Sequence, residues 1–309
     1  MAAPENIIKA SDIDGALSQE FIRNFNGSFD RLAEIMGIFG VETRAAGTAL
    51  YQYTVSGSLN NSAGYDSSSG TAYVEGDEVA LSKYTVTKSS IGDLAPVPYR
   101  KMTTAKAILQ DGYEKAVLAT DNKMISQIRA QLISQFFTFL ANGTGAPAES
   151  ATVNSLQKAL AYGDAALENA METNGDNADG RFVHFISRND AADYLANASI
   201  TTQTLFGMTY LENFLGVENV FLTNKIDDGK VYITPAENIH AYGIDFGELA
   251  QGGLVYQVGS NGLVGVAHKG AYDYASAETN VMTGLQLIPE VLDYIVIADF
   301  GDPYAAVGA

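Results

Sequence analysis

The sequence predicts an α+β fold that carries one extended β-hairpin. Two segments rich in aromatic and β-branched residues flank a long stretch of glycine and serine, which indicates a hairpin with a long tip. Between residues 103 and 141 apolar residues recur at helical spacing, and the chain from residue 254 onward is strand-like. With 309 residues, the chain is long enough to bury a large core without covalent cross-links.

The chain is acidic and sparsely charged. It contains 36 Asp and Glu residues against 18 Lys and Arg, so its formal net charge is −18. An acid excess of this size argues against a general nucleic-acid binder, which needs a basic surface. Charged residues make up only 17% of the chain, and 17 tyrosines are present. This composition fits either an ordinary acidic protein or one whose surface is largely covered by partner subunits.

The sequence lacks cysteine, a secretory signal and a membrane-spanning segment. The absence of cysteine excludes disulfides, thiolate zinc sites, iron–sulfur clusters and cysteine nucleophiles. The amino terminus has no basic region leading into an apolar run, and nowhere do about 18 apolar residues run together. We therefore expect no membrane partner.

The first element in chain order is a helical arm. Apolar residues recur every three to four positions from Leu17 to Met36, and Gly37 and Gly40 close the pattern. We expect this arm to precede the hairpin.

The hairpin is the second element. Leu50–Val55 predicts its first strand and Val79–Lys88 its second. The glycine- and serine-rich tip is nearly uncharged, with Asp66 as the only charge between Arg44 and Glu75. A structureless loop of this length is unusual inside a compact domain. The tip is therefore either disordered or lies on another molecule.

The strongest helical signal follows the hairpin. Its apolar stripe consists of Leu109, Tyr113, Val117, Met124, Ile128, Leu132, Phe136 and Leu140. We expect Gly112 and Thr120–Asn122 to divide the segment into two helices, with Thr120 or Asp121 capping the second. Asn142–Pro147 predicts a glycine stop at its end. The stripe predicts that Ile128 and Leu132 are buried.

Residues 152 to 270 indicate a mixed helix-and-strand region. Leu156, Leu160 and Leu167 predict a helix, and Phe182–Ile186 predicts a short strand followed by a helix around Ala191–Leu195. The turn signal at residues 227 to 229 predicts a further hairpin between two apolar strands, Val220–Thr223 and Val231–Thr234. The later strand-like segments are Leu254–Tyr256, Leu263–Val266, Leu285–Ile288 and Tyr294–Ile297.

The sequence contains no recognisable catalytic motif. It has no His-Glu-x-x-His helix, no phosphate loop and no Gly-x-Ser-x-Gly elbow. His184 lies within an apolar strand, as a core or interface histidine does, and a turn explains Asp227–Asp228. Glu290 and Asp293 lie near the last strand without a spacing that indicates acid–base chemistry. We therefore predict a structural assembly protein that is not an enzyme and has no cofactor and no metal.

The order of these elements resembles the major capsid proteins of tailed bacteriophages, whose Hong Kong 97-type shell fold encapsulins share. Three local segments carry the resemblance: Val74–Lys83 in the hairpin, Phe136–Gly145 at the helix end and Ile288–Glu290 in the closing strand. The resemblance covers nearly the whole chain. It implies five regions, which are an N-terminal arm (1–44), an extended loop (45–92), a peripheral domain with a spine helix (93–150), an axial domain (151–250) and C-terminal strands that return to the peripheral domain (251–309).

The resemblance also implies a function. A protein of this kind self-assembles as hexamers and pentamers into an icosahedral head, and the head encloses double-stranded DNA without sequence-specific binding. It is a virion component that is assembled in the host cytoplasm. A separate scaffolding protein and a portal are implied, since no fused scaffold is expected, and a cement protein is a further potential partner. The alternatives are an encapsulin-type compartment shell, a flagellin-like surface assembly protein and an unrecognised hydrolase.

The extended loop supplies the candidate contacts between subunits. These candidates are Leu59, Tyr65, Tyr73, Lys83 and Lys88. Some shell proteins of this kind cross-link themselves through a lysine, an asparagine and a nearby carboxylate. Lys83 and Lys88 lie in the loop, but the sequence does not place an asparagine opposite them.

Overall fold

The computed structural model describes residues 39–58, 65–66, 71–72, 82–147, 155–176, 182–195, 203–205, 208–211, 220–258 and 263–301. The chain divides into two compact units. Thr48–Asp93 forms the smaller unit, and the residues on either side of it form the larger one. The predicted N-terminal helical arm lies outside the described residues.

The described residues form both helices and strands. The helices are α1 (Ala105–Asp111), α2 (Ala119–Leu140), α3 (Leu156–Asn174), α4 (Arg188–Leu195) and α5 (Gly247–Gln251), and a π turn (Glu114–Leu118) precedes α2. The strands are β1 (Phe39–Ala45), β2 (Ala49–Ser58), β3 (Tyr65–Asp66), β4 (Thr71–Ala72), β5 (Lys83–Asp93), β6 (Val97–Thr104), β7 (Phe182–Ser187), β8 (Gln203–Leu205), β9 (Met208–Leu211), β10 (Val220–Thr223), β11 (Lys230–Pro235), β12 (Ile239–Asp245), β13 (Gln257–Val258), β14 (Val264–Ala271), β15 (Ser276–Thr283), β16 (Leu285–Pro289) and β17 (Val296–Asp299).

The described residues of the larger unit form three sheets. The six-stranded sheet has the order β17-β11-β7-β10-β9-β8, the four-stranded sheet has the order β13-β14-β15-β6, and the three-stranded sheet has the order β1-β12-β16. The smaller unit contains the ribbon β2-β5 and the short pair β3-β4. The predicted mixture of helices and strands is therefore confirmed.

Strand β7 occupies the centre of the six-stranded sheet, and this overturns the predicted hairpin between β10 and β11. His184 pairs with Val220 of β10 on one edge and with Ile233 of β11 on the other, so β10 and β11 do not pair with each other. Strand β7 takes the central place because its side chains are buried on both faces of the sheet. Val183 and Phe185 join one core cluster, whereas Ile186 joins the other.

Helix α2 lies in the larger core cluster together with residues from all three sheets. Its buried apolar residues are Ile125, Ile128, Leu132, Phe136, Phe137 and Leu140. Ile128 is 3% exposed and Leu132 is 4% exposed, which confirms their predicted burial. Leu109 belongs to the predicted stripe, but it is exposed, because α1 ends at Asp111 and the helical phase does not continue past Gly112.

The predicted helix start at Thr120 or Asp121 is wrong. The π turn Glu114–Leu118 runs directly into α2, so no helix N-terminus needs a cap at this point. The Thr120 hydroxyl instead donates to the carbonyl oxygen of Val117 at 2.8 Å. Lys101 Nζ donates to the same oxygen at 3.1 Å. Both side chains therefore bind the same carbonyl oxygen at the junction of the π turn and α2.

Helix α2 ends at Leu140, as the glycine stop predicts, and the two glycines that follow have a second purpose. Gly145 N–H donates to the Ile295 carbonyl at 3.1 Å, and Ile297 N–H donates to the Gly145 carbonyl at 2.8 Å. A Cβ atom at Gly145 would overlap the Asp293 carbonyl oxygen, and one at Gly143 would overlap Ile295. The glycines therefore let the end of α2 approach the segment before β17.

Two predicted C-terminal strands are shifted in the structure. Leu254–Tyr256 is irregular because Leu254 N–H donates to the Leu249 carbonyl at the end of α5, at 3.0 Å. A 3₁₀ turn at Leu292–Tyr294 replaces the start of the last predicted strand, and β17 begins at Val296. The other two predicted C-terminal strands correspond to β14 and β16.

Candidate assembly surface

The ribbon of the smaller unit has one apolar face and one polar face. Strands β2 and β5 are antiparallel, and side chains that oppose each other directly across such a pair lie on the same face. The face that we call the tyrosine face consists of Tyr51, Tyr53, Val55, Tyr84, Val86 and Lys88. The opposite face, which we call the polar face, consists of Gln52, Thr54, Ser56, Thr85, Thr87 and Ser89.

The large side chains of the tyrosine face are exposed. Tyr53 is 59% exposed, Val55 is 65% exposed and Val86 is 62% exposed, whereas large apolar side chains are normally buried in a sheet that packs on a core. A two-stranded ribbon is marginally stable by itself in water. Covering the tyrosine face with another surface would therefore lower the free energy.

Lys88 is the one cation that the described ribbon carries on the tyrosine face. Its Nζ lies 3.6 Å from the centroid of the Tyr51 ring and 5.8 Å from that of the Tyr53 ring. A cation over an aromatic ring is attracted to it by about 0.5–1 kcal/mol at an exposed site. This arrangement keeps the aliphatic stem of Lys88 along the apolar face.

Comparison with known proteins identifies the fold. No protein-family model and no curated protein sequence matches the chain. The solved structure of the holo-SrpI encapsulin complex from Synechococcus elongatus PCC 7942 is similar with a TM-score of 0.52 and 11% identity, over 85% of each chain. The capsid asymmetric unit of cyanophage A-1(L) is similar with a TM-score of 0.50 and 11% identity, over 87% of this chain and 93% of that one.

The chain has the Hong Kong 97-type shell fold. The fold predicted from the order of the sequence elements is therefore confirmed. At 11% identity the likeness is one of fold, and it does not extend to individual contact residues.

The structure locates part of the predicted contact set within this shell fold. Lys88 lies on the tyrosine face, and Lys83 opposes Ser58 on the other side of the ribbon. Tyr65 lies in β3, where it pairs with Ala72 of β4. Leu59 and Tyr73 lie outside the described residues. Their roles as contacts between subunits remain predictions.

The exposed residues of the ribbon are not among the contact candidates that the sequence indicates. Tyr51, Tyr53 and Val55 alternate with polar residues along β2, and this alternation is visible in the sequence. Tyr84 and Val86 alternate in the same way along β5. What the sequence lacked was the register that places both sets on one face, since a shift of one residue would separate them.

The titratable residues that the sequence singles out in the six-stranded sheet have structural partners. His184 Nε2 lies 2.6 Å from Asp164 Oδ1 inside the core, as predicted for a core histidine. Asp227 pairs with Lys230 at 3.1 Å beside the β11 turn. The Ser187 hydroxyl donates to Asp228 and lowers its pKa.

The C-terminal carboxylates also have partners. Thr144 Oγ1 donates to Asp293 Oδ1 at 2.5 Å, and His240 Nε2 lies 3.9 Å from Glu290 Oε2. Among the described residues, no three side chains of His, Asp or Glu form a cluster that could hold a metal ion. In the same part of the chain, no helix has the length and apolar character needed to cross a membrane.

Proposed function

We propose that this chain is a major capsid protein, a structural subunit that assembles with copies of itself into an icosahedral head. The observation that carries the proposal is the shell fold shared with a phage capsid subunit over 87% of this chain. The exposed tyrosine face is consistent with it, since a shell subunit buries such a surface only after assembly.

Assembly is driven by apolar surface that the isolated subunit leaves in water. Burial of such surface contributes roughly 25 cal/mol per Å², and the tyrosine face offers five large side chains for it. In a closed shell each copy contacts its neighbours through its own ribbon and through theirs. The free energies of these modest contacts therefore add up over the particle. The net charge of −18 opposes close approach of copies, and salt screens this repulsion.

The proposal extends to the organisation of the chain and to its partners. Residues 1–44 form the N-terminal arm, 45–92 the extended loop, 93–150 the peripheral domain, 151–250 the axial domain and 251–309 the returning strands. The subunits form hexamers and pentamers around double-stranded DNA, with a separate scaffolding protein, a portal and potentially a cement protein. The chain is a virion component that is assembled in the host cytoplasm.

Contacts between subunits are proposed at Leu59, Tyr65, Tyr73, Lys83 and Lys88, together with the tyrosine face. Such contacts require no catalytic centre, and we propose that the chain is not an enzyme.

A second candidate is an encapsulin-type compartment, which the similarity to an encapsulin with a TM-score of 0.52 supports. The two candidates differ in what the shell encloses. We propose to express the gene together with the genes that naturally lie beside it and to purify the particles that form. The particles are then treated with nuclease, and the contents that survive are extracted. Protected double-stranded DNA supports the capsid, whereas a protein cargo without DNA supports the compartment. Absence of any particle contradicts both candidates.

A further inference from the structure

Strand β6 is an edge of the four-stranded sheet, and in the described part of the chain it pairs with β15 alone. None of the eight side chains of β6 is fully buried, whereas four of the eight side chains of β15 are. Apolar burial therefore contributes less to the attachment of β6 than to that of β15. Strand β6 contains two basic residues, Arg100 and Lys101, and no acidic one. Each of the two reaches a buried carboxylate on a different face of the sheet.

The first carboxylate lies on the face of the sheet that packs against α2. Lys101, Thr279 and His268 stand directly opposite one another on β6, β15 and β14, so their side chains share this face. Asp121 of α2 bonds all three, with Lys101 Nζ 2.5 Å from Oδ1. One buried carboxylate thus joins the edge strand to the next two strands of the sheet.

The second carboxylate lies on the opposite face. Glu278 directly precedes Thr279 on β15, so its side chain points away from α2. Arg100 Nη2 of β6 donates to Glu278 Oε1 at 2.5 Å, and Lys269 Nζ of β14 lies 3.6 Å from Oε2. The Glu278 side chain is only 2% exposed. Tyr274, in the turn between β14 and β15, is a further titratable group that interacts with Arg100.

We propose that Asp121 and Glu278 together form an acid-sensitive clamp on β6. Protonation of both carboxylates opens this edge strand, whereas β14 and β15 stay paired with each other. Strand β6 begins at Val97, shortly after β5 ends at Asp93, so the clamp holds the segment that follows the extended ribbon in the chain. This inference concerns the folded subunit and goes beyond the proposed function without depending on it.

The direction of the pH dependence follows from the charges around the clamp. Burial raises the pKa of Asp121, but the bonds from His268 and Lys101 outweigh it, and the bond from Arg100 lowers the pKa of Glu278. Both folded-state pKa values therefore lie below the ordinary values of 3.8 and 4.5. The clamp is present at neutral pH and is lost as pH falls through the folded-state values. Arg100 and Lys101 stay cationic in acid, and each then lacks its counter-charge.

Hydrogen–deuterium exchange of the wild-type subunit tests the clamp directly. Protection of peptides from β6 and from β14, each relative to the unfolded chain, is followed stepwise from pH 7 to about pH 2.5. We expect protection of β6 to fall by at least about tenfold at a pH where β14 is still protected. Simultaneous loss of protection in β6 and β14 would overturn the inference, as would a β6 that stays protected throughout.

A variant that removes one charge tests the role of the carboxylate at neutral pH. Glu278→Gln should lower the protection of β6 at pH 7 by at least about tenfold and leave β14 nearly unchanged. Asp273→Asn is the matched control, because Asp273 is an exposed carboxylate of the same hairpin and is not one of the groups that bond Arg100 or Lys269. The control should leave β6 unchanged. Equal effects of the two substitutions would refute the clamp.

A covalent lock provides a test that keeps both carboxylates in place. Thr103 of β6 and Ala277 of β15 stand directly opposite each other, at a separation that a disulfide can bridge. The chain lacks cysteine, so Thr103→Cys with Ala277→Cys can form only this disulfide within a subunit. We expect β6 of the oxidised variant to stay protected in acid and β6 of the reduced variant to lose protection as wild type does. Equal loss in both forms would show that acid does not separate β6 from β15, and the inference would fall.

Discussion

Asp121 joins α2 to the four-stranded sheet through three side chains. Lys101 Nζ lies 2.5 Å from Asp121 Oδ1, Thr279 Oγ1 donates to the same oxygen at 3.1 Å, and His268 Nε2 lies 3.1 Å from Oδ2. Burial raises the pKa of Asp121, but the hydrogen bonds from His268 and Lys101 outweigh it and lower the pKa overall. A carboxylate that is buried and fully bonded in this way is a structural group.

The first prediction concerns pH. Because the folded-state pKa of Asp121 lies below the unfolded value near 3.8, its contribution to stability is present above that value and is lost as pH falls through the folded-state pKa. Asp121→Asn should lower the free energy of unfolding by about 1–3 kcal/mol at pH 7, since it leaves the half-buried Lys101 without its counter-charge. The difference from wild type should shrink below pH 4. Urea unfolding across pH measures it, and a constant difference would contradict the account.

The second prediction concerns the apolar stripe of α2. Ile128→Asp places a carboxylate in the core and should cost several kcal/mol of unfolding free energy. Ala130, which lies on the exposed side of the same helix, provides the matched control, and Ala130→Asp should change stability by about 0.5 kcal/mol or less. Thermal unfolding compares the two. If both substitutions lowered the stability equally, the loss of stability would come from adding a charge to the helix and not from placing that charge in the core.

At the scale of elements, the ribbon β2-β5 has faces of opposite character, and the third prediction compares them. Tyr53→Glu with Val86→Glu should raise the assembly concentration by at least about a hundredfold, because two charges enter a buried contact. Thr54→Glu with Thr87→Glu adds the same charge on the polar face and should have a much smaller effect. Sedimentation velocity measures assembly, and equal effects would refute the sidedness of the ribbon.

The fourth prediction concerns the hairpin tip. Replacement of Asn60–Ser69 by a short Gly-Ser turn should change subunit stability by no more than about 1 kcal/mol. The same replacement should weaken or abolish shell assembly, because every subunit loses a contact with a neighbour. Thermal unfolding of the variant is paired with electron microscopy of its particles. Shells of wild-type stability would show that the tip makes no contact needed for assembly.

The elements that the sequence predicted well are those whose signal is local. The α2 stripe is such a signal, since residues four positions apart meet on one helix face whatever the rest of the chain does. The sequence does not predict the π turn, because nothing in a short window distinguishes a Thr120 that caps a helix from a Thr120 that donates to the Val117 carbonyl. Lys101, which also donates to the Val117 carbonyl, belongs to β6 and is distant from Val117 in a local sequence window.

The pairing of the hairpin strands β2 and β5 was predicted, but the pairing within the six-stranded sheet was not. The turn at residues 227–229 is correct, but β7 lies between the two strands that it joins. That choice depends on which strand is buried on both faces, a property of the whole sheet. The tyrosine face could not be predicted for the same reason. The alternation along each strand indicates that Tyr53 and Val86 are on one face of their own strands, but only the register between the strands shows that they share a face of the ribbon.

At the scale of the whole molecule, the fold and the composition agree with each other. The shell fold supplies the large unit with a core shared by three sheets and one long helix. The low charge content and the exposed tyrosines leave the subunit with surface that remains to be covered. Both features are consistent with the proposed assembly of this chain with copies of itself.

The most direct test of this account is cryo-electron microscopy of the purified full-length chain, at several salt concentrations and with co-expressed scaffolding protein where the chain alone does not assemble. We predict closed shells in which the tyrosine face of each ribbon is covered by a neighbouring copy. A chain that stays monomeric under all of these conditions, or shells in which Tyr53 and Val86 face solvent, would contradict the account.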